Sequence, residues 1–310
     1  MHTISRRRFV SLTASGLAAA RLAMRAYAAE GSVTAEQVAQ RIQNSLGGEW
    51  KPDSVDGIKA GDPSTTVTGI VTTSLASLAV LDRAVKAGAN MILTTEPAFY
   101  NHADSKTPPP RGFGPPSAAH SPIPSPPDPV FTGKNEFIEK HKLVIYRLTE
   151  HWRMRSPDPF AVGLAEMLGW SKFAAPSNPR MFALPQTTLG DMVTHVKRSL
   201  ASRGGIRVVG NPQLPIRTVA LLPGSTPIQA SVEVLPKVDA ILAGEVREWE
   251  GVEYIRDTID LGGRKSLTLV GRVVSEDPGM KICAQWLKTL IPEVSSTWIT
   301  AGDPYWRPTA

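Results

Sequence analysis

The stretch Asn90-Met-Ile-Leu-Thr-Thr-Glu96-Pro-Ala-Phe-Tyr-Asn-His102-Ala-Asp104 decides the fold. Residues 91–93 are an apolar run short enough for a buried strand. At Glu96-Pro97 the run breaks into a polar loop with a carboxylate, an imidazole and a second carboxylate. In an open α/β sheet, ligands bind just outside the carboxyl ends of the strands. Glu96, His102 and Asp104 are therefore candidate site residues. The rest of the chain is read for partners of Glu96.

Working outward, residues 67–71 form a predicted strand and residues 74–86 a helix with Leu78, Leu81 and Val85 inward, ended by Gly88. With the strand at 91–95 this is a βαβ unit. Both strands are apolar on both faces, as helices covering a sheet require. A second unit follows the same pattern: a strand at 218–222, a Gly224-Ser-Thr turn, a helix to about 235, then Val238-Asp-Ala-Ile-Leu-Ala-Gly-Glu245. Each unit delivers a glutamate directly after its second strand. Two related α/β layers, each with a carboxylate at a strand end, imply one cleft between them.

Further helices are expected at 32–46, 135–141, 159–168, 188–200, 248–258 and 280–290, the last opened by Asp277 and Pro278. Further strands are expected at 143–146, 206–209, 267–270 and 294–299. The strand at 143–146 also ends in polar residues: Thr149, Glu150, His151, Trp152 and Arg153. Residues 105–130 hold ten prolines, which excludes a sustained helix or central strand. They form an expected surface loop, either a passive insertion or a lid or subunit-contact arm.

The chain has 310 residues, 42% hydrophobic and 20% charged, so it is globular and long enough for one large or two ordinary domains. Its formal charge of +6 belongs to the N-terminus. The first 28 residues carry five arginines and no acid, which leaves 29 bases against 28 acids. That balance gives no charge argument for nucleic-acid binding. Ser5-Arg-Arg-Arg-Phe9, a mild apolar stretch and Ala26-Tyr-Ala28 read as a twin-arginine export signal with a cleavage site after Ala28. The expected location is periplasmic or otherwise extracytoplasmic. Arg21 interrupts the apolar run, so no stable membrane insertion is expected. Cys283 is the lone cysteine, so no intrachain disulfide exists, and its helical setting reads as core.

Among other candidates, Gly224-Ser225-Thr226 reads as a tight turn or as a phosphate cradle without the lysine of a P-loop. Ser225 as a nucleophile lacks a placed histidine base. Trp152 and Trp249 either line the cleft loops or pack. His102 and His151 read as surface or structural histidines or, with Asp104, as ligands of a rebuilt metal site beside Glu96 and Glu276.

Taken in order, Gly57 with Gly61-Asp-Pro63, residues 67–70, Gly88-Ala-Asn-Met-Ile-Leu-Thr94, Ile145-Tyr146 leading into Glu150-His-Trp152, Leu168-Gly169, Gly244-Glu245 and Gly271 with Glu276 carry a resemblance. The chain resembles the NIF-three-like family, the dinuclear-metal-centre hexameric proteins also called GTP cyclohydrolase I type 2 homologues. The resemblance covers nearly all of the chain after the signal. It implies a first α/β domain of residues 29–180 plus 270–310, a second of 181–269, and a hexameric homo-oligomer. It also implies two divalent metals (Zn, Mn or Fe) that generate a hydroxide for hydrolysis of a nucleotide-like or other cyclic amide.

The family holds its metals with a His-His-Pro, a His-Thr-x-x-Asp and a Gly-His-x-x-x-Glu. Carried over, these fall on Thr95-Glu96-Pro97, on Thr149 and Arg153, and on Arg272 and Glu276. The imidazoles are gone, and only Glu276 is retained in kind. An arginine beside a dication is unfavourable, whereas an arginine in place of one neutralises carboxylates through bidentate hydrogen bonds. The expected cleft set is Thr95, Glu96, Thr149, Arg153, Glu245, Arg272 and Glu276. The expected function is a binding or scaffold protein with an Arg–Glu network, no metal, and a small anion as a possible ligand. The alternatives are a metal-dependent hydrolase with two metals, or with one metal held by Glu96, His102, Asp104, His151 and Glu276.

Overall fold

The computed structural model describes residues 32–47, 50–51, 53–102, 104, 127–200 and 205–306. The export signal and most of the proline-rich stretch lie outside the described residues. In chain order the elements begin with α1 (Ala35–Leu46), β1 (Gly57–Ala60), β2 (Ile70–Thr73), α2 (Leu78–Lys86) and β3 (Met91–Thr94). Next come α3 (Pro129–Lys140), β4 (Val144–Arg147), α4 (Glu150–Arg153), α5 (Pro159–Met167), β5 (Ala174–Ala175) and β6 (Asn178–Thr188). Then follow α6 (Leu189–Ser199), β7 (Arg207–Val209), β8 (Pro215–Ser225), α7 (Ile228–Val234) and β9 (Ala240–Glu245). The chain closes with α8 (Glu253–Asp260), β10 (Ser266–Leu269), α9 (Arg272–Leu290) and β11 (Ser296–Trp298).

Two sheets result. One has the order β1-β4-β3-β2-β11, the other β5-β6-β8-β9-β10-β7. Strands β11, β2, β3 and β4 run parallel, and β1 is antiparallel at the edge. In the second sheet β8, β9 and β10 are parallel, with β6 and β7 antiparallel outside them. The two βαβ units thus occupy the parallel centres of two separate sheets. Every residue of β2, β3 and β4 is buried, because helices cover both faces.

Side-chain alternation sorts the core into four clusters. On one face of the first sheet Ile70, Met91, Leu93 and Tyr146 meet α1 and α9 through Val38, Ile42, Met280 and Leu287. On the other face Val71, Ile92 and Ile145 meet Leu81 and Ala84 of α2 and Phe131 and Ile138 of α3. In the second sheet Val219, Leu221 and Leu242 meet Leu164 of α5 and Met192 and Val196 of α6. On its outer face Ala220, Ile241 and Leu267 meet Val234 and Ile255. Helices α5 and α9 form a shared middle layer: Phe160 belongs to the first core and Leu164 to the second. Two glycines allow them to cross closely. A Cβ on Gly163 would collide with the Pro278 backbone, and one on Gly279 with Phe160.

Three expectations are corrected. The helix expected at 135–141 starts at Pro129, inside the stretch expected to be loop to 130. Asp128 accepts from the amides of Val130 and Phe131, and proline suits the first helical turn. The polar loop at 149–153 is a single helical turn. The helix expected to open at Asp277-Pro278 starts instead at Arg272 and holds Pro278 in its interior. Gly271, at φ 98°, turns the chain into it. Beginning at Arg272 places both Arg272 and Glu276 on one helix face, four residues apart.

Candidate functional site

The N-terminal turns of α9 are fastened to both sheets. Asp277 accepts from the amide (3.1 Å) and the hydroxyl (2.8 Å) of Ser74, just past β2. Its other oxygen accepts from the Ala301 amide at 3.2 Å. Thr72 donates to the Met280 carbonyl at 2.6 Å. On the other side Ser275 accepts from the Gly224 amide at 2.9 Å. Gly244 lets these pieces close up, since a Cβ there would strike Ser275 Oγ and the Gly224 backbone.

This fastening presents Arg272 to both strand-end glutamates. Its Nη2 lies 2.7 Å from Glu96 Oε1, and its Nη1 lies 3.5 Å from Glu245 Oε1. Its Nε is 3.8 Å from Glu276 Oε2, and these two buried atoms have no hydrogen-bond partner. Arg153, from α4, donates to Glu276 Oε1 and, at 3.4 Å, to the Pro223 carbonyl. Its guanidinium lies 4.3 Å from the Phe160 ring centroid, which fixes its plane. Gly224, at φ 88°, is obligatory here, because a Cβ would enter the contact between Glu276 and Arg153.

The cluster holds three carboxylates and two guanidiniums. Glu276 is 2% exposed, and burial pushes its carboxyl up to about 7 against the pull of Arg153 and Arg272, with neighbouring Glu96 adding to the rise. For Arg272, burial opposes the charge, but Glu96, Glu276 and Glu245 outweigh it and hold the guanidinium above its ordinary value. A cleft of about 670 Å³ opens beside Arg272 and Glu245, with Leu269, Val274, Arg207 and Trp306 in its lining.

The remaining sequence candidates take other places. Thr149 is near the cluster, but its hydroxyl donates to the Thr95 carbonyl, and Thr95 Oγ1 donates to Ser74 O at 3.3 Å. His102 is exposed, and its carbonyl accepts from Arg147. Asp104 is buried, pairs with Arg147 at 3.3 Å and accepts from the Phe99 amide at 3.0 Å. His151 is buried, with Nδ1 2.8 Å from Asp56 and its ring stacked on Trp50 at 3.6 Å. Trp152 lies fully in the first core, and Trp249 is 73% exposed. Cys283 is buried, and burial pushes its thiol well up.

The donor set does not fit the dinuclear metal centre that the resemblance implies. Among the described residues no group of three or more His, Cys, Asp or Glu side chains is placed to hold a metal ion. The position between Glu96, Glu245 and Glu276 is filled by a guanidinium, and a dication beside it would meet like charge.

Four residues that shape the site were not assigned to it from the sequence. Asp56 accepts from the amides of Thr149 (2.6 Å), Glu150 (3.2 Å) and His151 (2.8 Å), and so builds the turn that aims Arg153. Ser275 and Asp277 clamp α9. Arg147 was foreshadowed only by being charged at the end of an apolar strand.

No protein-family model matches the chain, and no curated protein matches it. Solved structures do. The hypothetical protein SA1388 of Staphylococcus aureus aligns over 89% of this chain and 99% of its own, at 15% identity and a TM-score of 0.63. The protein YbgI, of unknown function, aligns over 88% and 100% at 18% identity and the same TM-score. A Bacillus cereus protein related to NIF3 aligns over 89% and 99% at 15% identity, again at 0.63. The architecture is thus a two-sheet α/β fold with a shared helical layer and a cleft at its strand ends. This is the NIF3-like fold.

Proposed function

We propose that this chain is a NIF3-like binding or scaffold protein whose cleft is held by an Arg–Glu network where relatives of the resembled family carry two metals. Arg272 carries this conclusion: one guanidinium meets a glutamate from each sheet, Glu96 at 2.7 Å and Glu245 at 3.5 Å. At that separation the guanidinium offsets part of the carboxylate charge without any ion. Because the carboxylates outnumber the guanidiniums, the cluster has no spare positive charge with which to recruit an anion.

Elemental analysis of protein purified from its native host without chelators tests this. The expected content is well below one transition metal per chain. A content near two per chain, or one bound tightly enough to survive dialysis, supports the metal-dependent hydrolase and sinks the network. Export by the twin-arginine route and assembly into a hexamer belong to the same proposal. Replacing Arg6 and Arg7 by lysine should retain the chain in the cytoplasm. Light scattering should give a mass near six times that of the processed chain. Among the described residues no helix is long and apolar enough to cross a membrane.

A further inference from the structure

We infer that a second ligand site, separate from the Arg–Glu cleft, lies between the α4–α5 turn and the later turns of α9, and that it takes a small organic carboxylate. A cavity of about 380 Å³ opens there. It shares no lining residue with the cleft beside Arg272. Ligand cavities run from roughly 300 to 1,000 Å³, so this one suits a small molecule.

Its walls are largely apolar: Trp152, Pro157, Val162, Ile282 and Trp286 among them. Ile282, Gln285, Trp286 and Thr289 are spaced as one face of α9, so a single rigid helix supplies one wall. Among the described residues Arg155 is the one charged residue in the lining. It is held by aromatic rings: its guanidinium carbon lies 4.8 Å from the Trp152 ring centroid and 5.1 Å from that of Trp286. Among the described residues no carboxylate pairs with it. A guanidinium stacked on rings is fixed in plane, and its N–H edge stays available for a two-point contact with a planar oxyanion.

A cation with no carboxylate partner among the described residues, set in apolar walls, calls for one acceptor, negatively charged and attached to an apolar body. An ammonium compound would meet a lone like charge there, and a highly charged phosphate would leave the apolar walls unused.

The test is calorimetry and ligand-observed NMR on the full mature chain with phenylacetate, hexanoate and the neutral phenylacetamide. At least one of the two acids should saturate one site per chain, with phenylacetamide at least tenfold weaker than phenylacetate. R155Q should weaken the acid at least tenfold. R272Q should leave binding unchanged, which separates this site from the cleft. Absence of saturable binding by both acids, equal binding of the amide, or loss of binding in R272Q with retention in R155Q would overturn the proposal. Should R155Q fail to fold, the comparison of acid with amide on the unmodified chain decides alone.

Discussion

Glu96 and Glu245 close two strand–helix–strand units of one pattern, but they end in different surroundings. Glu96 is 8% exposed and sits 2.7 Å from Arg272. The loop that follows it is anchored from below: Arg147 reaches the carbonyls of Thr95 and His102 and the carboxylate of Asp104. The Glu245 side chain is 44% exposed and sits 3.5 Å from the same guanidinium. Its neighbourhood is shaped by small residues, Gly224 and Gly244, which let Ser275 and the Arg153–Glu276 pair pack closely. The two halves therefore reach one arginine by different means. One half fixes its loop with charge, and the other makes room for the first turns of α9 and for the contact between Glu276 and Arg153.

The strongest way to break this contrast is Arg147→Ala. It leaves Asp104 buried and unpaired, and unfolding in urea should show a loss of about 3–5 kcal/mol, as for other severed buried pairs. The matching change in the other half, Gly244→Ala, puts a methyl against Ser275 and Gly224. It should cost about 1–3 kcal/mol by the same assay. If Gly244→Ala were neutral, close approach would not be what organises the second half.

Glu96→Gln and Glu245→Gln compare the two carboxylates directly. Loss of a charged partner is worth about 1.5–3 kcal/mol when dry, but Arg272 is itself partly exposed, so about 1–2 kcal/mol is expected for Glu96. The exposed Glu245 should cost no more than about 0.5 kcal/mol. Equal losses would erase the distinction drawn above.

A pH dependence tests the third carboxylate of the cluster. Glu276 has its folded-state value raised to about 7 by burial from an unfolded value of 4.5. Its contribution to stability is therefore complete below pH 4.5 and lost as pH rises through 7. Subtracting the melting curve of Glu276→Gln from that of the parent across pH 4.5–8 should isolate that decline. A flat difference would mean that Arg153 keeps Glu276 ionised throughout.

Much of this was legible in the residues. The apolar runs at 91–93 and 240–243 gave both central strands, because a segment buried on both faces leaves little ambiguity. Glu96 and Glu245 were legible because each follows such a run directly. The shift of Arg272 onto a helix was not, because Pro278 reads locally as a helix opener. Contacts from Ser74 and Gly224, about 200 and 50 residues away in sequence, hold the earlier turns in place. Asp56 was illegible for the same reason: it caps a turn about 95 residues later. His151 and Asp104 looked like ligands because composition shows a titratable group but not the neighbour that already occupies it.

The glycine crossing of α5 and α9 sets the gauge of the whole site. Arg272 stands seven residues, or about 10 Å of helix, from Gly279. With no side chain to cushion the contact, α9 has one seat on α5. Slipping by a single residue would carry Arg272 about 1.5 Å along the axis and about 100° around it, out of reach of both glutamates. The crossing acts as a detent: the guanidinium is registered to its two partners by a notch in the backbone a turn or two away, in the way a ratchet pawl indexes a wheel.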